Sequence, residues 1–392
     1  MKNYGRILVL DVESTINSHP MTEGSKCCGI GILDNEQLYA FKIEHGEEPF
    51  GDDIAKVTSH LASCDVLVLF NGKFDLHWLR RYGVVLPDGL KVWDCQLFEF
   101  VGSNQQWKYP SLDESFLRRG LSGVEKYKVI EEYWDQGVDT PDLPWEMVEK
   151  RVTTDVQLTR TLFDAQYQEY LSWPKNKRNL FRLHCEDLLV LEDIEYNGFA
   201  FDTERSEQVA REVCLQLEQV DSAIKTIAGE SEINLNSPDQ RSVILYGGKI
   251  VFDEKIPDGV FKSGKREGQI RHRWVSREVL FPRLIEPLDG TGLGKEGYWS
   301  TDQETLPYLR AKGRGKKVLG LMQDRATLNT KLSRYLLGLP KLIRLNKWPP
   351  NMLYGSINQC VAVTGRTSSS KPNLQNMDSK LKHLFPSRFQ DG

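Results

Sequence analysis

An α/β module followed by a mostly helical, basic module is the fold class that the 392-residue sequence predicts. Three observations predict it. Short apolar runs alternate with helix-length segments over the first 170 residues, and amphipathic helical periods dominate beyond them. The charge also changes sign: residues 1–170 carry −11 and the remainder +7, a contrast that the overall −4 conceals. The second module therefore suits a polyanion.

Hydrophobic residues make up 40% and charged residues 27% of the chain, a mixture that supports sizeable buried cores. The longest apolar runs, such as Val66 to Phe70, fall far short of the roughly 20 residues that cross a bilayer, and Ile7 to Leu10 is too short for a secretory segment. No membrane partner is expected. The seven cysteines are odd in number and form no CxxC pair, which argues against a disulfide framework or a zinc site and for a reducing cytoplasm.

In chain order, Ile7–Leu10, Cys27–Leu33 and Leu38–Ile43 read as three strands of a meander. A helix over 52–63 leads into a buried strand, Val66–Phe70, and a second helix over 74–82 completes an α/β return. The pattern from Glu146 to about Leu171 is one long helix, stopped by Trp173-Pro174 ahead of a Lys/Asn/Arg linker. Helices follow over 180–196 and 204–228, split by the turn dipeptide Asn197-Gly198. Residues 247–297 are rich in Gly, Pro and charge and suggest an inserted hairpin; helices resume over 302–311 and 326–337. Between Arg310 and Lys347 eleven Lys and Arg face one acid, Asp324, with Lys312–Lys317 read as a mobile surface segment. The spacing of Gly290-Thr-Gly-Leu-Gly-Lys295 excludes a phosphate-binding P-loop.

Asp11 and Glu13 sit two residues apart on the first strand, so both carboxylates emerge on one face. Asp75 follows the next buried strand within Asn71-Gly-Lys-Phe-Asp75, where a helix cap is the simpler reading. Asp155 falls on the apolar stripe of the long helix with Val148, Val152, Thr159 and Leu162. A buried carboxylate needs a partner, either a shared cation or Arg151 one turn earlier. Four carboxylates without thiolate or imidazole suit two hard divalent ions, Mg²⁺ or Mn²⁺, which activate water and stabilise the leaving oxygen of a phosphodiester.

The order of these motifs resembles the DEDD superfamily of 3′-to-5′ exonucleases, in the form of the proofreading domain of family A DNA polymerases. Asp11-Val-Glu13, Asn71–Asp75 and Asp155 are similar to its three motifs, and Trp93-Asp94 and Tyr109–Leu112 to segments between them. The resemblance implies a ribonuclease H-like fold, catalysis and metal binding by Asp11, Glu13, Asp75 and Asp155, and a single-stranded 3′ end near Ser14 and Asn71. One departure stands out. Where the family's third motif has Tyr four residues, or His five residues, before its Asp, this chain has Arg151 and Lys150. Neither orients an attacking water as a base, and Arg151 either pairs with Asp155 against a metal or neutralises the scissile phosphate.

The basic half resembles the body of the same family. Glu192–Asp202, Ile233–Gln240, Trp299–Asp302 and Leu328–Tyr335 follow in family order, and Thr364-Gly-Arg-Thr-Ser-Ser-Ser370-Lys-Pro-Asn-Leu-Gln-Asn376 is similar to its primer-template signature. The resemblance implies DNA contacts from Lys331 and Arg334 of the thumb and from Arg366, Ser369, Asn373, Gln375 and Asn376, through phosphates or minor-groove acceptors. The expected domains are an α/β ribonuclease H-like exonuclease over 1–172, a helical start of the polymerase body over 173–245, a β-prone insert over 246–299, basic thumb helices over 300–348 and a partial palm over 349–392. The segment 247–297 is similar to one in bacteriophage members, which implies a viral protein acting in a bacterial cytoplasm. The palm aspartates and finger helix are expected beyond Phe389-Gln-Asp-Gly392, either on a second polypeptide carrying palm and fingers, the favoured reading, or in a part removed by engineered truncation. Three readings remain open: the amino-terminal subunit of a split polymerase, a self-sufficient exonuclease, or a DNA-binding scaffold with a decayed carboxylate site.

Overall fold

The structure is a computed structural model that describes residues 5–16, 18–46, 51–123 and 126–388, so the expectation placed at Phe389–Gly392 lies outside it. Two compact units emerge, one of Met1–Asp202 with Lys341–Gly392 and one of Thr203–Pro340.

The first unit is built on a five-stranded sheet ordered β3-β2-β1-β4-β5. Strands β1 (Ile7–Ser14), β2 (Cys27–Asp34) and β3 (Gln37–Lys42) form the expected antiparallel meander. Helix α1 (Gly51–Ala62) then returns the chain to β4 (Val66–Leu69), parallel to β1, and α2 (Lys73–Arg81) leads to β5 (Lys91–Asp94), parallel to β4. All four residues of β4 are buried, which is why this interior parallel strand reads as an unbroken apolar run. Three short helices follow, α3 (Cys95–Gly102), α4 (Leu112–Arg119) and α5 (Val129–Asp135). Asp94 caps α3 by accepting from the Leu97 amide at 2.7 Å and also accepts from the Gly72 amide at 2.7 Å, a structural role.

The long helix α6 (Trp145–Ser172) lies on the sheet with Val148, Val152, Asp155, Thr159 and Leu162 all buried along one stripe. Glycines on β2 let it approach closely. A Cβ at Gly31 would come within 2.6 Å of the Val152 carbonyl oxygen, and one at Gly29 within 3.1 Å of the Trp145 ring. Because β1 pairs Asp11 with Gly31 and Glu13 with Gly29, the same two glycines bring α6 down beside both carboxylates.

The residues read as a linker after Trp173-Pro174 are instead the first turn of helix α7 (Lys175–Asn197). Proline at the position before a helix ends one element and starts the next, because its fixed φ suits a helical entry. The short strand β6 (Phe199–Ala200) ends this part of the unit.

In the second unit α8 (Thr203–Ala228) and α9 (Pro238–Tyr246) pack with α10 (Gly313–Thr330) around Ile224, Leu245, Val318 and Met322. The insert is a long antiparallel ribbon of β7 (Gly248–Val260) and β8 (Ile270–Phe281), largely exposed beyond Phe252. Two helix expectations change. Residues 302–311 hold only a 3-10 turn, Leu306–Tyr308, interrupted by Pro307, whereas Gly313–Lys317 opens α10 rather than forming a mobile loop. Gly315 explains the latter, since its missing side chain admits the Leu284 carbonyl, which a Cβ would meet at 2.7 Å. A π-helical turn, Lys331–Leu336, continues α10.

The chain re-enters the first unit through α11 (Gly338–Leu345). Strand β9 (Met352–Leu353) pairs with β6, and β10 (Ser356–Asn358) pairs with β11 (Ser368–Ser370). Gly198, with φ of 63°, closes α7 where a Cβ would strike the Leu353 carbonyl and the Tyr354 ring at 2.7 Å. No described helix is long and apolar enough to cross a membrane.

Candidate functional site

Strand β1 supplies Asp11 and Glu13, and helix α6 lowers Asp155 onto the same face of the sheet. One carboxylate oxygen of each lies within 4.8 Å of the other two. Asp75, in the first turn of α2, is buried and accepts from the Val12 amide at 3.1 Å, between the two β1 acids. Thus three of the four expected acids meet directly, and the fourth is tied to the backbone between them.

Burial and mutual repulsion dominate the electrostatics. Burial, then Asp155, Asp75 and Glu13, pushes the Asp11 carboxyl well above its ordinary range. Burial also raises Glu13 to about 7 against the opposing pull of Arg151, and raises Asp75 and Asp155. Such a cluster calls for cations. Arg151 is one: its Nε donates to Glu13 Oε1 at 3.0 Å and forms an ion pair with Asp155 Oδ2 at 2.7 Å. Asp155 Oδ1 remains buried without a hydrogen-bond partner. A hard divalent ion fits that donor set, since all the groups are carboxylate oxygens and one of them is orphaned.

The other expected contacts are scattered. Ser14 is buried and its hydroxyl donates to the Thr15 carbonyl at 3.2 Å, while Asn71 is exposed in the left-handed region, with φ of 61°. Asn71 lines a cavity of about 830 Å³ in the first unit together with Lys73, Phe74, Tyr109, Gln359 and Lys371; none of the four acids reaches it. Arg366, Asn373, Gln375 and Asn376 are exposed around β11. Ser369 instead braces that loop, accepting from the Leu374 amide at 2.8 Å and donating to the Pro372 carbonyl at 3.3 Å. Arg334 is exposed and Lys331 half-buried on the π-helical turn of the second unit. Of the basic stretch, Arg325 is consumed internally by Asp221 at 2.7 Å and Asn236 at 2.8 Å.

Sequence reasoning missed two features. The glycines opposite Asp11 and Glu13 were legible as the alternation in Cys28-Gly-Ile-Gly-Ile32. The second is a buried tie in which Glu195 accepts from Lys73 Nζ at 2.6 Å and from the Ile357 amide, joining α2, α7 and β10. No local pattern signals a pair separated by 122 residues.

His19 also lines the cavity; its Nδ1 accepts from the Met21 amide at 3.1 Å, and burial lowers its pKa to about 4. A folded pKa below the unfolded value of about 6.5 contributes stability that is complete above pH 6.5 and is lost as pH falls towards 4. His19→Asn, which keeps an acceptor, should therefore flatten the decline of urea stability between pH 6.5 and 4 relative to wild type. An unchanged slope would place the proton elsewhere.

Residues 275–388 match the family model for DNA polymerase family A. The chain is 24% identical over 412 residues to the DNA polymerase of Bacillus phage SP01, covering 97% of this chain and 43% of that protein. It is 28% identical over 311 residues to DNA polymerase I of Synechocystis sp., covering 79% of this chain and 27% of that protein. With DNA polymerase I of Bacillus caldotenax it shares 30% identity over 210 residues, 53% of this chain and 19% of that protein. Among solved structures, the POL domain of Pol1 from M. smegmatis, in complex with DNA primer-template and dNTP, resembles it in fold with a TM-score of 0.59 at 18% identity, covering 98% of this chain and 53% of that one. The chain spans less than half the length of these curated relatives. Over residues 275–388, from β8 to beyond the Thr364–Asn376 motif, the chain is similar to family A DNA polymerases.

Proposed function

We propose that this chain holds primer-template DNA and trims its 3′ end. The observation that carries the trimming role is the convergence of Asp11, Glu13 and Asp155 on one face of the sheet, with Asp75 beside them. The strand order β3-β2-β1-β4-β5, with β2 alone running against the other four, supports a ribonuclease H-like exonuclease.

The Asp11, Glu13 and Asp155 oxygens would hold Mg²⁺ or Mn²⁺. A divalent ion there supplies positive charge to a phosphodiester as its leaving oxygen departs. The chain's own groups do the rest. Asp75 fixes the β1 backbone through Val12, the cavity beside Asn71 and Tyr109 accommodates unpaired nucleotides, and exposed Arg334 and Arg366 neutralise phosphates irrespective of sequence. Bacteriophage origin and action in a bacterial cytoplasm belong to the same reading, supported by similarity to a phage polymerase along nearly the whole chain.

The test is to measure binding of primer-template DNA and shortening of its labelled 3′ end by this chain with Mg²⁺ or Mn²⁺. Shortening that depends on the metal is expected. DNA bound but never shortened removes the trimming role. Arg151, seated among the carboxylates, favours a second reading, a DNA-binding scaffold that does not cut. It requires salt-sensitive DNA binding with no shortening at any Mn²⁺ concentration.

A further inference from the structure

The guanidinium of Arg151 is held from three sides. Its Nε reaches Glu13 on β1 at 3.0 Å and Asp155 on α6 at 2.7 Å. Its Nη1 donates to the Tyr127 carbonyl at 2.9 Å and to Glu131 Oε1 on α5 at 3.1 Å, and the ring of Trp134 flanks it at 5.8 Å. The side chain is only 8% exposed. A long, flexible side chain fastened by three hydrogen-bond acceptors and the Asp155 ion pair is a fixed part of the centre, and arginine keeps its charge at any working pH.

Two-ion phosphodiester centres place their metals roughly 4 Å apart and share carboxylates between them. Here one oxygen of Glu13 and one of Asp155 are already committed to a cation that cannot leave. What remains includes the orphaned Asp155 Oδ1, in a cluster where one oxygen each of Asp11, Glu13 and Asp155 lie within 4.8 Å of one another, room for one ion. We propose that Arg151 is a resident cation occupying the place of a second metal, so that the carboxylate centre binds one divalent ion. The inference rests on the metal-centre reading above and specifies its stoichiometry. It also makes the segment carrying Tyr127 and Glu131 a positioning element, because that segment holds the guanidinium against the acids.

Mn²⁺ alone, titrated into the full chain without DNA and followed by the paramagnetic resonance of the free ion, tests this. Sites at the centre are counted as those lost in Asp155→Asn. The wild type should bind one such ion, Arg151→Lys one, and Arg151→Gln two, the second at least tenfold tighter than any second ion in wild type. Two ions in the wild type, or one in Arg151→Gln, overturn the inference while leaving a metal centre in place. No ion in the wild type, with circular dichroism unchanged, removes the centre and the inference together. The wild-type count decides even where a substitution fails to fold.

Discussion

Asp11→Asn should raise the melting temperature of the ion-free protein at pH 8 while lowering 3′-end removal at least 100-fold. The two effects have one origin. Asp11 faces Asp155, Asp75 and Glu13 in a desolvated setting, so replacing its charge with an isosteric amide relieves repulsion that no single guanidinium offsets. Relief of about 1–2 kcal/mol corresponds to roughly 2–8 °C for a unit of this size. Hydrolysis falls because the amide is a poor ligand for a hard cation and no longer balances its charge. Scanning calorimetry in chelator and a labelled-primer assay in Mg²⁺ measure the pair. Undiminished cleavage would exclude Asp11 from the chemistry, and a lower melting temperature would assign it an ordinary structural role.

Gly31→Ala should have the largest effect on folding of any single methyl addition in the sheet. Replacing glycine by alanine ordinarily stabilises by about 0.4–1 kcal/mol through the unfolded chain. Here the new methyl meets the Val152 carbonyl oxygen at 2.6 Å, its carbon at 2.8 Å and Val152 Cβ at 2.9 Å, and helix backbone does not yield locally. Overpacking of about 1–3 kcal/mol or more wins, so the melting temperature falls by several degrees. Because Asp155 sits one turn beyond Val152 on α6, the displaced helix should also weaken Mn²⁺ binding. Gly51→Ala, at an exposed position with an ordinary φ and nothing within 4 Å of the new methyl, serves as the control for solvent-exposed glycine. A neutral result at Gly31 would mean that α6 can slide without cost.

Much of the first unit was legible because its signals are local. The unbroken run in β4, the 3.6-residue stripe of α6 and the two-residue spacing of Asp11 and Glu13 each express one periodicity, and each element formed where expected. Asp155 stood out because a carboxylate on an apolar stripe requires compensation, and Arg151 one turn away supplied part of it. Legibility ended where a neighbour distant in sequence decides the outcome. Lys312–Lys317 reads as loop by its glycines, yet the Leu284 carbonyl against Gly315 makes that glycine a packing residue inside a helix. Ser369 carries the type of a phosphate donor, but the turn around Pro372 and Leu374 engages its hydroxyl. Arg325 counts towards the basic stretch by sequence and leaves it by burial against Asp221.

The ties from Lys73 and Glu195 to Ile357 bear on how the protein is made. The first unit is discontinuous, and Thr203–Pro340 is translated between its two parts. At elongation rates of about 5–20 residues per second, that interval lasts roughly 7–28 s. During it a nascent sheet waits on the ribosome with the Lys73 ammonium and Glu195 carboxylate lacking their last acceptor and donor, and with the Gly198 corner uncovered by Leu353 and Tyr354. Completion of this unit is therefore an event of late synthesis, set by arrival of the returning strand rather than by emergence of the amino terminus.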